Sequence, residues 1–274
     1  MKLEFTRPQV MGILNVTPDS FSDGGRFLRP VSALEHARRL IDEGADILDI
    51  GGESTRPGAE PVPLEEELKR TIPLIESIRG FSDIPVSIDS SKPEVMRAAA
   101  EAGADLINDV WALRRPGALE AAADTGLPVC LMHMRGEPGN MQQNPQYDDV
   151  VSEVLDFLLQ RADAAQQAGI PRSRILLDPG FGFGKTLEQN LQLFRALDRF
   201  KATGYPLLVG ISRKSMIGGI TGRPVEQRLA GSIAFAVLAV QAGSDVIRVH
   251  DVAETRDALA IVQAVEDQPQ DTPS

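Results

Sequence analysis

Residues 43–52 read EGADILDIGG, residues 101–110 read EAGADLINDV and residues 241–251 read QAGSDVIRVHD. All three follow one plan: the end of a helix, a Gly, an Asp, then a short apolar run that closes on a polar residue. A Gly just past a helix terminates it. An unbroken run of aliphatic and β-branched residues is the pattern of a strand buried on both faces. Each phrase therefore predicts a helix feeding a parallel strand. The same pattern along the chain gives eight candidate strands: QVMGILN (9–15), DILDI (46–50), IPVSID (84–89), DLIND (105–109), PVCLMH (128–133), RILLD (174–178), PLLVGIS (206–212) and DVIRVH (245–250). Helical segments lie between them, and Ser32 with Glu35 and Ser91 with Glu94 carry capping-box spacing.

Eight strand–helix units in about 250 residues is the arithmetic of a (β/α)8 TIM barrel, whereas a doubly wound sheet of this length more often uses fewer strands. The expected class is α/β: a single-domain barrel over residues 1–266, with DQPQDTPS (267–274) as a disordered tail. Periodicity alone does not separate a closed barrel from an open eight-stranded sheet.

The 274 residues support a large core. A net charge of −11 argues against nucleic acid as a partner, since neutralising phosphates takes clustered Lys and Arg. Apolar runs such as AFAVLAV (234–240) are too short for a membrane span, so no membrane partner is expected. The opening MKLEFTRPQVMGIL lacks the features of a secretory signal, so a cytoplasmic protein is expected. The single cysteine, Cys130, excludes an intrachain disulfide, and its neighbours in LPVCLMH suggest a buried strand thiol.

Active sites of such barrels sit at the C-terminal ends of the strands. Here those ends are Asn15, Asp49, Asp89, Asn108, His133, Asp178, Ser212 and the pair Arg248 and His250. One Asp or Asn after a strand often only caps a helix or makes a turn; eight convergent polar ends are harder to explain so. Three carboxylates and two amides can read the donor-rich edge of a purine or pterin. A metal is the other use of such a ring, but no H-x-H or H-E-x-x-H spacing appears, which argues against a tight zinc site.

Two long loops, NVTPDSFSDGGRF (15–27) and GGESTRPGAEPVP (51–63), have the composition of lids. Cations concentrate at Arg56, at Arg213 and Lys214, and at Arg248 with His250. The loops after strands 7 and 8 are a frequent phosphate site in this fold. DPGFGFGKT (178–186) imitates a P-loop but has Pro179 where the pattern needs its first glycine. Lys185 is therefore expected to be a loop lysine whose loss does little.

The chain resembles the dihydropteroate synthase family through NVTPDSFSDGG, DIGGESTRPGA, SIDSSKP, INDV, LMHM, DPGFGFGK, GISRKSMIG and RVHDV, in order, over residues 10 to 260. The resemblance implies a transferase of folate biosynthesis that joins a dihydropterin diphosphate to 4-aminobenzoate by an SN1-like path. It implies a pterin pocket of Asp89, Asn108, Asp178 and Lys214, with walls from Met132, Phe183 and Gly210 and the ring stacked on Arg248. The diphosphate would be held by Asn15, Arg56, Arg248 and His250, with Mg2+ between it and Asn15. The 4-aminobenzoate, and competing sulfonamides, would meet Phe21, Thr55, Pro57, Ser212 and Lys214. Asp178, Lys214, Arg56 and Asn15 would carry catalysis; Asp23 would stabilise the cation or accept the amine proton. A homodimer is implied too. The alternatives are a pterin-dependent methyltransferase barrel, which needs no diphosphate clamp, and a non-catalytic pterin-binding paralogue, whose signature would be losses at Asn15, Arg56 or Lys214.

Overall fold

The structure, a computed structural model, describes residues 5–16, 29–54, 58–136, 141 and 145–266. Eight strands, β1 (Gln9–Asn15), β2 (Ile47–Gly51), β3 (Val86–Asp89), β4 (Leu106–Asp109), β5 (Val129–Met132), β6 (Ile175–Asp178), β7 (Leu208–Val209) and β8 (Val246–Val249), form one sheet in the order β6-β5-β4-β3-β2-β1-β8-β7. Every pairing is parallel. A bridge between Leu177 and Leu207 joins β6 to the start of β7 and brings the sheet round on itself. The barrel is thus distinguished from the open sheet, although the seventh ladder covers only Leu208–Val209 of the expected PLLVGIS.

Helices α1 (Arg29–Asp42), α2 (Leu64–Arg79), α3 (Pro93–Glu101), α4 (Ala118–Thr125), α5 (Val150–Gln167), α6 (Leu187–Arg195), α7 (Leu197–Lys201), α8 (Ser215–Thr221), α9 (Leu229–Gln241) and α10 (Val252–Glu266) surround it. None, among the described residues, is long and apolar enough to cross a membrane.

The repeated phrase has a common structural job. Gly44, Gly103 and Gly243 take φ of +92°, +104° and +90°, the left-handed turn that ends a helix. The Asp that follows then accepts a backbone N–H from an adjoining strand: Val10 to Asp46 at 2.8 Å, Val86 to Asp105 at 2.9 Å and Leu207 to Asp245 at 2.8 Å. Each carboxylate also takes a cation: Arg7 and Arg256 on Asp46, Arg79 on Asp105 and Lys201 on Asp245. These contacts pin the N-terminal rim of the barrel.

Two of the expected capping boxes do not form. Ser32 lies inside α1, and α3 begins at Pro93 while the Ser91 hydroxyl donates to buried Asp109. A capping box occurs instead at Thr186: its Oγ1 accepts from Gln189 N at 3.2 Å, and Gln189 Oε1 accepts from Thr186 N at 2.8 Å.

Strand side chains alternate, so one parity points into the barrel. Met11, Ile47, Leu106, Cys130, Leu176, Leu208 and Val246 form a buried apolar floor. Two residues further on, the same parity delivers Ile13, Asp49, Asn108, Met132, Asp178, Gly210 and Arg248, and Asp89 stands two beyond the buried Ser87 of β3. The sequence thus builds an apolar plug with a polar ring directly above it.

Candidate active site

Arg248 organises one side of the ring. Its Nε donates to Asp49 Oδ2 at 2.6 Å and its Nη2 to Asp89 Oδ2 at 2.9 Å, while Asn108 Nδ2 reaches the Asp49 oxygens at 3.3 and 3.4 Å. Gly210 lies beside it: a Cβ there would make ordinary contact with Arg248 Cβ at 3.5 Å. Burial works against the Arg248 charge, but the charges of Asp49 and Asp89 outweigh it and hold its pKa up. One guanidinium cannot neutralise two carboxylates. Burial first, and the Asp49 charge second, push Asp89 up to about 8. The sequence marks Asp49 as a polar strand end but not as a site residue; its place two positions above the floor residue Ile47 is the available signal.

Across the ring, burial raises the Asp178 pKa against the pull of Lys214, and Asp178 Oδ1 accepts from Gly180 N at 2.7 Å. Lys214 Nζ donates to Phe181 O at 2.6 Å and stands 4.6 Å from the centre of the Phe183 ring. Burial depresses this lysine to about 8. Met132 clusters with Val110, Met134 and Met141, and Phe183 and Trp111 pack against them. The expected wall residues Met132 and Phe183 therefore do come together.

Lys185 lies in a loop, as expected, but it is buried and heavily bonded, which its place after a glycine-rich turn did not reveal. It is 3% exposed, and its Nζ contacts Gly180 O at 2.8 Å, Phe183 O at 3.0 Å and His133 Nδ1 at 3.0 Å. His133 O lies 3.3 Å from the same nitrogen, and burial pulls the lysine's pKa well below its ordinary value. Burial first, and the Lys185 charge second, push the His133 imidazole down to about 2, so it is neutral. His133 is thus a structural group. Two glycines let the loop wrap so tightly: Gly180 and Gly184 have φ of +69° and +63°, and a Cβ on either would run into the backbone oxygen of His133 or of Arg135. A P-loop turns backbone amides toward an anion; this loop turns carbonyls toward a lysine nitrogen.

Ser212 and His250, which the resemblance assigns to different subsites, are hydrogen-bonded. Ser212 Oγ accepts from His250 N at 3.2 Å and lies 3.0 Å from His250 Nδ1. Arg213 is turned away, held by Asp251. Asn15 ends β1 with its Oδ1 facing Gly51, where a Cβ would sit 3.3 Å from it and 3.7 Å from Asp89 Cβ. The second long loop is clamped at its base: Glu53 Oε2 accepts from Val62 N at 3.1 Å and from Lys92 Nζ at 2.5 Å, and Lys92 also pairs with buried Glu67. Phe21, Asp23, Thr55, Arg56 and Pro57 lie outside the described residues. Among the described residues no group of three His, Cys, Asp or Glu is placed to hold a metal ion.

Residues 11–250 match the model of a family described as pterin binding enzyme. The chain is 53% identical to the dihydropteroate synthase of Escherichia coli strain K12 over 262 residues, covering 96% of this chain and 93% of that one. The chain belongs to the dihydropteroate synthase family. A dihydropteroate synthase from Xanthomonas albilineans, solved in complex with 7,8-dihydropteroate, is 54% identical with a TM-score of 0.89, covering 97% of each chain. One from Yersinia pestis, solved with a sulfonamide drug complex, is 51% identical with a TM-score of 0.91, covering 97% of this chain and 99% of that one. Dihydropteroate synthases are transferases, so the chain is an enzyme of that class.

Proposed function

We propose that the chain condenses 6-hydroxymethyl-7,8-dihydropterin diphosphate with 4-aminobenzoate to give 7,8-dihydropteroate and diphosphate. The observation that carries this reading is the ring of Asp89, Asn108, Asp178, Lys214 and Arg248 over an apolar floor, walled by Met132 and Phe183. Asp178 and Asn108 accept from the pterin's amine and ring N–H groups, and Arg248, gripped at its edge by Asp49 and Asp89, offers its flat face for stacking. The neighbouring complexes support the substrates: a Xanthomonas albilineans dihydropteroate synthase was solved with 4-aminobenzoic acid.

Chemically, the bond from the pterin methylene to the diphosphate oxygen breaks first, and the electron pair leaves with diphosphate. The methylene cation is then captured by the amine nitrogen of 4-aminobenzoate, whose proton passes to Asp23. Asp178 stabilises the cation through the ring's N–H groups. His250 and Arg248, with Arg56, hold the leaving anion, and Ser212 fixes the His250 ring. Asn15 is the residue that would hold Mg2+ against the diphosphate; its amide oxygen, in the space that glycine 51 leaves open, suits an ion that takes few protein ligands. When bound there, the ion would supply charge neutralisation to the leaving group. Lys214, with Ser212, Phe21, Thr55 and Pro57, faces 4-aminobenzoate, and sulfonamides would compete at that subsite.

We place the enzyme in the cytoplasm as a homodimer. Exposed apolar residues on and beside α8 and α9, namely Ile220, Val225, Leu229 and Leu238, support a face covered by a second copy. The deciding experiment supplies purified protein with Mg2+ and both substrates and follows diphosphate release and dihydropteroate formation. Pterin binding without turnover would leave a binding paralogue instead.

A further inference from the structure

We propose that Lys185 is a positioning residue of the pterin pocket: its enclosed side chain sets the place of Phe183 and, through the same loop, of Lys214. The proposal rests on the pterin reading of the site and adds to it a residue that touches no substrate.

The loop from Gly180 to Lys185 is held through amides, Gly180 N on Asp178 Oδ1, Gly182 N on Asn190 Oδ1 and Phe183 N on Gly180 O, and through its carbonyls. Lys185 Nζ takes those of Gly180 and Phe183, Lys214 Nζ takes that of Phe181, the Tyr147 hydroxyl donates to that of Gly184 at 2.9 Å, and Asn190 Nδ2 donates to that of Lys185 at 3.3 Å. Lys185 is the centre of this arrangement, because it alone binds two of these carbonyls and ties both to β5 through His133. Phe183 lies between Gly182 and Gly184; its N–H donates to Gly180 O, and Lys185 Nζ bonds both that oxygen and the Phe183 carbonyl, so the lysine ties the two ends of the turn together. The ring so placed packs with the Met132 cluster on one side and lies under Lys214 Nζ on another. Removing the lysine head leaves the Phe183 carbonyl without its donor and Gly180 O with the Phe183 N–H alone, a state the loop relieves by moving. Phe183 and Lys214, the two ligand-facing groups attached to that loop, move with it.

The test compares the wild type with Lys185→Met, Phe183→Ala and the double variant, measuring 6-hydroxymethylpterin affinity by calorimetry well below each variant's unfolding temperature. A core variant remote from the site, Ile78→Ala, serves as the destabilised control. Lys185→Met is expected to weaken pterin binding roughly tenfold, with little further loss in the Phe183→Ala background, since residues acting through one element are not additive. Ile78→Ala should bind as the wild type does. Should Lys185→Met not fold, Lys185→Arg carries the same cycle: it keeps the charge but cannot direct one nitrogen at all three acceptors. Wild-type affinity in the folded lysine variant, or fully additive losses with Phe183→Ala, overturns the proposal. Failure of the wild type itself to bind the pterin overturns instead the functional reading on which it rests.

Discussion

Asp49 and Arg248 are 199 residues apart in the chain, yet they meet at 2.6 Å with the carboxylate wholly enclosed. The contact exists only once β1 has been laid between β2 and β8, so it reports the assembled barrel. Asp49→Ala leaves Arg248 with Asp89 alone in a buried setting. We expect a loss of about 3 kcal/mol, read from urea unfolding, because removing one partner of a buried pair strands the other charge. Pterin affinity should fall with it, since the stacking face is no longer fixed.

Asp89 gives the protein a pH signature. Its carboxyl titrates near 8 in the folded chain and near 3.8 when unfolded, so between those values the folded state holds a proton that the unfolded state has released. Its contribution is fully present below about 3.8 and is lost as pH rises through about 8. In Asp89→Asn this dependence should vanish. Unfolding free energies of both proteins at pH 5 and pH 8 check it: the wild type should lose ground to the variant as pH rises.

Lys214 should be indispensable to turnover. Lys214→Ala removes a cation from an enclosed site and should lower kcat/KM by about 100-fold. Because burial depresses this lysine to about 8, its ammonium is lost as pH rises through that value, and the alkaline limb of the kcat/KM profile should fall there. Lys214→Arg, always charged, should carry whatever activity it retains to higher pH.

Gly180 tests the loop that encloses Lys185. An alanine there would put its methyl 1.9 Å from His133 O while forcing φ to +69° on a residue with a side chain. Neither can be relieved without moving β5 or the loop. Gly180→Ala should cost more than about 3 kcal/mol by thermal or chemical unfolding.

Much of this was legible in the sequence. The eight strands could be placed because parallel strands buried on both faces are mostly apolar, and the polar residue at or near the end of each run marks the rim where ligands bind. Three features were not legible. The hydroxyl of Ser91 prefers Asp109, a partner 18 residues away that local spacing does not reveal. The length of β7 depends on how the sheet closes, not on its own apolar residues. Lys185 followed a glycine-rich turn, and composition does not say whether such a turn presents amides outward or carbonyls inward. The alternation of glycines at 180, 182 and 184, ahead of the Thr186 and Gln189 capping pair, was the signal that the turn is tightly folded.

The hydrogen bond from Lys214 to Phe181 O has a mechanical meaning as well as a chemical one. Phe181 follows β6 and Lys214 follows β7, and between these strands the ladder thins to the single bridge at Leu177 and Leu207. This is the seam of the barrel, and the lysine staples it at the top. A ligand that draws Lys214 away loosens the staple, while one that grips both Asp178 and Lys214 replaces it from above. Amide exchange at Leu207, Leu208 and Val209 should therefore be the fastest among the strands in the free protein and should slow most when the pocket fills.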